Sequence, residues 1–294
     1  MNLLKSVIVN GFALSTLLLA YCPLHAQYHF SATAGVSVVS ARLVNHADRN
    51  LPPYATGTTT SHWNFTPNYN LNIGYYQERA KGFQGISLGV GYNHYLQTFD
   101  ADINYTKGNA SSELSYLSFP VTARVGLGKL WKSYQMFAEL GGNFAILQDY
   151  KEHAYTKNDV TGYDEASIHN NDATNHVSML GNPDVSTRLN YWIYKKYDWG
   201  LLAALGVKRD LTRAFGMSLK AQFAFSLQKD IEEKGATTTS TPGQLYDFWD
   251  YYAPKGYINN SSNFSSRENT RLIVPGVTLA FTYTFNTAKH EKAK

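Results

Sequence analysis

Eight stretches of this chain alternate apolar and polar residues with a period of two, and the segments between them run long, short, long, short, long, short, long. The plainest stretch is 215–228, where Met217, Leu219, Ala221, Phe223, Phe225 and Leu227 share one face and Ser218, Lys220, Gln222, Ala224, Ser226 and Gln228 the other. The remaining stretches are 28–40, 66–77, 83–97, 112–126, 134–148, 197–208 and 271–285. A soluble β-sandwich would also alternate, but tight turns would then recur throughout. Here short turns at 78–82, 128–133 and 209–214 interleave with the long connections 41–65, 98–111, 149–196 and 229–270. That asymmetry belongs to a membrane barrel, whose strands hold an apolar face to lipid and whose long connections lie on the outer side. An even strand count puts both chain ends on the periplasmic side. The expected fold is all-β: an eight-stranded antiparallel up-and-down transmembrane β-barrel with four long extracellular loops and short periplasmic turns, in the outer membrane.

The beginning of the chain fits that destination. Lys5 precedes the apolar run 7–20, and Leu24, His25 and Ala26 follow, the layout of a secretory signal peptide over 1–26. The run contains Asn10 and Gly11 and is short for a spanning helix of about 20 residues. Cys22 follows Tyr21 instead of the small residue that a lipidation signal places there. After Ala26 the chain holds no cysteine, which removes disulfides, thiolate metal sites and a cysteine nucleophile from consideration. Residues 27–294 show no linker or break in composition and are expected to form a single barrel domain. With 26 basic against 22 acidic residues the net charge is +4, too small and dispersed to imply nucleic acid as a partner. Aromatic girdles at both membrane interfaces would absorb the 22 Tyr, 15 Phe and 5 Trp.

Two features of the strands carry further expectations. Pro120 interrupts the fourth stretch, and because proline cannot donate to a ladder, a bulge or local break is expected there. Charged residues fall on inward faces: Arg124, Glu139, Lys208 and Lys220. Uncompensated charges inside a small barrel would each cost several kcal/mol, so Glu139 is expected to meet Arg124 or Lys220 and close the lumen.

At 116–125 the residues YLSFPVTARV resemble a segment of the PorT-like outer-membrane β-barrel family of Bacteroidetes, with Ser118 in place of that family's usual Glu. FAELGGNFAIL at 137–147 is similar to its Glu-x-Gly-x-x-x-Gly-x-Leu pattern, with Ala145 at the second Gly. YDWGLLAALGVK at 197–208 resembles a third segment, departing at Ala204 and Lys208. TLAFTYTF, ending at Phe285, is similar to the terminal aromatic signal read by the barrel assembly machinery, here followed by nine further residues. The resemblance implies a barrel inserted in outer-membrane lipid and, by analogy, a helper in protein secretion.

Candidate chemistry is sparse. Gly85-Ile86-Ser87-Leu88-Gly89 matches G-x-S-x-G, yet a nucleophile elbow needs a strand-to-helix turn and Ser87 sits within a strand pattern. His94 has no evident serine and acid beside it in the sequence. His153, His169 and His176 match no rigid metal-ligand spacing. Six N-x-S/T triplets, beginning at Asn64, Asn104, Asn109, Asn259, Asn260 and Asn263, follow from loops rich in Asn and Ser. No catalytic, cofactor-binding or metal-binding residue is therefore assigned. The expectation is a non-enzymatic barrel whose extracellular loops serve recognition, adhesion or assembly with an extracellular or periplasmic protein partner. A small pore, a lipid-modifying enzyme and a PorT-like secretion helper are the alternatives.

Overall fold

The computed structural model describes residues 28–45, 57–77, 81–103, 106–131, 133–158, 164–170, 175–179, 182–187, 194–228, 231, 237–239, 264–266 and 270–285. The expected signal peptide, and the parts of the long connections between these ranges, lie outside the described residues. Eight strands form the wall: β1 (Tyr28–Ser40), β2 (Phe65–Gln77), β3 (Lys81–Ile103), β4 (Thr106–Trp131), β5 (Tyr134–Asn158), β6 (Tyr197–Asp210), β7 (Phe215–Ser226) and β8 (Thr270–Thr284). Each pairs antiparallel with its neighbours in sequence. β1 also pairs with β8, from Ser31 opposite Thr284 to Val39 opposite Gly276, and so closes the barrel. Closure leaves no ladder edge at membrane depth, where an unpaired N–H or C=O would find no water.

The alternation that defined the strands has a direct physical outcome. Leu71, Ile73, Leu88, Val121, Leu140, Leu205, Leu219 and Phe281 are exposed on the outer wall, where their surroundings are acyl chains. Ser37, Asn68, Ser87, Thr122, Ser218 and Thr278, from the opposite parity, are buried in the lumen. Aromatic rings gather near both rims. Phe30 with Tyr75 and Phe215 with Tyr283 pack near the periplasmic rim, at centroid separations of 4.9 and 5.1 Å. Phe119, Phe144 and Trp199 pack towards the outer rim, with Phe144 and Trp199 4.5 Å apart. On the periplasmic side, Gly82 (φ 87°) and Gly128 (φ 125°) take backbone angles that a side chain would strain, which lets the chain turn tightly there.

Pro120 acts as a break without a bulge. The register of β3 with β4 is the same on either side of it, Leu88 opposite Val121 and Gly91 opposite Ser118, but the two intervening pairs are absent. Proline withholds one donor and the ladder resumes beyond it. The register shifts between β4 and β5 fall elsewhere, at Ser115/Tyr116, Gly126/Gly128 and Lys129/Trp131.

The larger departure concerns the outer side. β1 and β2 are 13 residues long, whereas β3, β4 and β5 run for 23, 26 and 25. The stretch 98–111, expected to be a loop, continues the β3–β4 hairpin up to Ile103 opposite Thr106. The additional length corresponds to about 35–45 Å of strand beyond what the membrane requires. Gly57–His62 adds to the β3 edge of this projection, and Asp164–Asn170, Asn175–Met179 and Asn182–Thr187 add in turn beyond β5. The long connections thus build a seven-stranded sheet that stands above the barrel. Thr237–Thr239 and Phe264–Ser266 form a separate two-stranded ribbon.

Candidate functional site

The lumen is layered along its axis. In its periplasmic half, Arg124 on β4 stands directly opposite Glu139 on β5. Arg124 donates from Nε and Nη2 to Glu139 Oε1, at 2.9 and 2.6 Å. Lys220, reaching across from β7, donates to Glu139 Oε2 at 2.7 Å. Glu139 therefore meets both of the partners between which its sequence position left the choice open. Lys208, the fourth inward charge, pairs with Asp210 nearer the periplasmic rim, at 2.8 Å. The Arg124 guanidinium also lies 4.5 Å from the ring centroids of both Tyr76 and Phe137. This layer fits because Gly206 leaves room: a Cβ there would come within 2.6 Å of the Phe137 ring and 2.8 Å of Lys220 Cβ.

Beyond that layer lies a belt of amides and hydroxyls. Ser87 shares a 2.8 Å hydrogen bond with Thr122, and Ser37 shares one of 2.8 Å with Thr278, which donates to Gln222 at 2.7 Å. Asn93 donates to Ser118 at 2.8 Å. Ser37, Ser87, Asn93, Ser118, Thr122 and Gln222 line a cavity of about 80 Å³. Satisfying one another across strands lets polar side chains fill the lumen without charge.

The outer end of the lumen is apolar. Val39, Tyr95, Leu114, Tyr116, Leu147, Tyr150 and Val274 form a buried cluster with Tyr194 and Ile231. The last two come from the connections that enter β6 and leave β7. Tyr194 stacks edgewise on Tyr150 at 5.4 Å and shares a 3.0 Å hydrogen bond with Ser112. Lys195 N–H donates to Ile231 C=O at 2.8 Å, and Leu147 N–H donates to Lys196 C=O at 2.8 Å. Two connections are thereby pinned across the extracellular mouth. Their apolar anchors were not recognised from the sequence, because single residues inside polar segments show no period.

The catalytic possibilities dissolve into this architecture. Ser87 is buried in the belt against Thr122, with no helix after it. His94 does have a serine that sequence reading missed: Nδ1 lies 3.0 Å from Ser115 Oγ, its direct partner in register. Asp149 is opposite Ser115 on the far strand, so in backbone register the serine's position falls between those of the histidine and the acid. A relay needs the imidazole in the middle. Among the described residues no group of three or more His, Cys, Asp or Glu side chains is arranged to hold a metal. The backbone register sets Ile168 between His153 and His176, with His169 opposite Glu152, while the side chains of these histidines lie outside the described residues.

Residues 25–230 match the family described as outer membrane protein beta-barrel domain. The chain belongs to this family. The match takes in seven of the eight wall strands, and β8 lies beyond it. A comparison with curated proteins finds no match. Among solved structures, this outer membrane protein beta-barrel domain is similar to Neisserial surface protein A, at 10% identity and a TM-score of 0.31 over 88% of this chain and 99% of the other. It is also similar to Ail, the attachment invasion locus protein of Yersinia pestis, at 7% identity and a TM-score of 0.30 over 87% and 99%. The outer membrane protease OmpT of Escherichia coli gives 12% identity and a TM-score of 0.34 over 87% and 97%. Likenesses this distant carry no argument about activity.

Above the lumen, this outer membrane protein beta-barrel domain carries its outward sheet. At the foot of the added strand Gly57–His62, His62 Nε2 lies 2.7 Å from Asp100 Oδ2, and Asn64 donates to Thr98 at 2.8 Å. Arg42 stacks over Trp63 at 4.2 Å. The sheet leaves the barrel as a braced continuation of its wall.

Proposed function

We propose that this outer-membrane barrel is non-enzymatic and that its projecting β-sheet is a surface for recognition, adhesion or partner assembly. The observation that carries the reading is the continuation of β3, β4 and β5 far beyond the length needed to cross the membrane. A strand held by ladder hydrogen bonds costs conformational entropy that a flexible loop avoids, and membrane insertion gains nothing from it. The lumen supports the same reading over the pore alternative, because an ion pair layer and an apolar cluster lie in series along it. Catalysis is disfavoured by the order of His94, Ser115 and Asp149.

Attachment of intact cells to surfaces and to other cells is the test. Replacing 97–112 by a two-residue turn removes the upper β3–β4 hairpin while keeping the membrane portion. Attachment is expected to fall to the level of cells lacking the protein, with the barrel still folded and inserted. Attachment equal to wild type would overturn the proposal. The segments 116–125 and 137–147 also support placing the chain with PorT-like barrels, and hence a role in secretion. A chromosomal neighbourhood devoid of secretion components would count against that narrower placement.

A further inference from the structure

Below the Arg124 layer the lumen opens towards the periplasm as a cavity of about 610 Å³. Its walls carry the cations Arg124, Lys129, Lys208 and Arg213 and the single carboxylate of Asp210. Arg124 is answered by Glu139, and Lys208 by Asp210. Lys129 and Arg213 remain, exposed at the mouth with no acidic partner among the described residues. Glu139 is shared with Lys220, so the recess together with the layer above it carries a net excess of three positive charges. In a recess bounded by low-dielectric barrel wall, such an excess concentrates anions.

Two buried polar groups in the same wall add a chemical requirement. Ser31 and Gln77 are 1% and 3% exposed, and Ser31 Oγ and Gln77 Oε1 have no hydrogen-bond partner. Gln77 Nε2 donates to Phe83 C=O at 2.9 Å, which fixes the amide oxygen as the unsatisfied end. A hydroxyl can donate or accept, whereas the amide oxygen can only accept. Both oxygens are enclosed by their neighbours, and a ligand in the recess requires small side-chain rotations to meet them. The best match is a divalent oxyanion that also carries a hydroxyl. Because these walls are inward strand faces and the turn that follows β6, the ligand comes from the aqueous periplasm and not from the bilayer.

We propose that this vestibule is a binding site for small phosphate species, hydrogen phosphate or a hydroxylated phosphate monoester. Lys129 and Arg213 supply the charge, and Ser31 and Gln77 discriminate in favour of a ligand with an O–H group. The site lies on the opposite side of the membrane from the extracellular sheet and stands or falls independently of the sheet's role.

The full barrel in phospholipid-free detergent micelles would be titrated calorimetrically with inorganic phosphate, glucose 6-phosphate, sulfate and glucose. Phosphate and glucose 6-phosphate are expected to bind with a stoichiometry of one, sulfate at least tenfold more weakly, and glucose not at all. The double variant Lys129→Gln, Arg213→Gln is expected to weaken phosphate binding at least tenfold. Both side chains are exposed, and the electrophoretic shift of the folded barrel would verify that the variant is native. Lys151→Gln, on the extracellular projection, is expected to leave binding unchanged. Absence of phosphate binding, equal binding by the double variant, or sulfate binding as tight as phosphate would each overturn the assignment.

Discussion

Glu139 is the side chain on which the lumen depends most directly. It is 4% exposed and accepts from Arg124 and Lys220 at once, so it neutralises one of two enclosed cations and orients both. Replacing it by Gln leaves those cations facing each other without a countercharge, and the expected loss is about 3–5 kcal/mol of folding stability. The triple change Arg124→Met, Glu139→Gln, Lys220→Met removes the charges together and should cost far less, because no ion is left stranded. Urea titration into detergent micelles, scored by the mobility of the folded barrel, separates the two. Equal stability of the single variant and wild type would mean that water already screens the site. The sequence could place all three residues on inward faces, since that follows from parity alone. It could not select among their pairings: Lys220 and Glu139 are 81 positions apart, and their meeting depends on how β5 and β7 are staggered around the barrel.

Among the elements, those embedded in lipid were legible and those above it were not. A strand in the membrane must be apolar on one face, so its period of two appears in the sequence. β3 above Gln97 and β4 below Ser112 have no lipid to face, and residues such as Asp100, Asp102, Lys107 and Asn109 are exposed. Without an apolar face the alternation fades, and 98–111 reads as a loop although 98–103 pair residue by residue with 106–111. Pro120 shows a related limit: proline predicts lost donors, while the neighbouring ladder decides whether the register moves. The anchoring of the connection before β6 gives an element-level prediction. Tyr194→Ala deletes a fully buried ring and its hydroxyl contact with Ser112, which should cost about 3–5 kcal/mol locally. Limited proteolysis of folded protein should then cut near 188–196 at least tenfold faster than in wild type. Tyr194→Phe keeps the ring and should show only a small increase. Unchanged cleavage in Tyr194→Ala would mean that the ring does not hold the connection.

For the barrel as one object, the layers in series set what can cross it. An apolar cluster at the outer mouth, a small belt cavity and an ion pair layer leave no continuous aqueous path through the described lumen. Planar-bilayer recordings should therefore show no discrete conductance steps for the wild-type barrel, and regular unitary steps would refute a sealed lumen. Orientation is testable separately. Protease added to intact cells should cut within 149–196 or 229–270 and leave the turn 209–214 untouched, the reverse pattern being incompatible with outward long connections.

The alternation and the unequal connections were enough to specify eight strands, a lipid-facing parity, a largely polar interior, and a first strand that starts and a last strand that ends on the side of the short turns. These follow from sequence because each strand separately must satisfy the bilayer, so the constraint is local and repeats eight times. Stagger is a collective property. Only the closed barrel brings β4, β5 and β7 to one level around Glu139, lets Tyr194 and Ile231 complete an apolar core, and gathers Lys129 and Arg213 around one periplasmic recess. Only the paired chain shows that polar segments with no membrane to satisfy continue as strands, since ladder hydrogen bonds between main chains ask nothing of side-chain polarity.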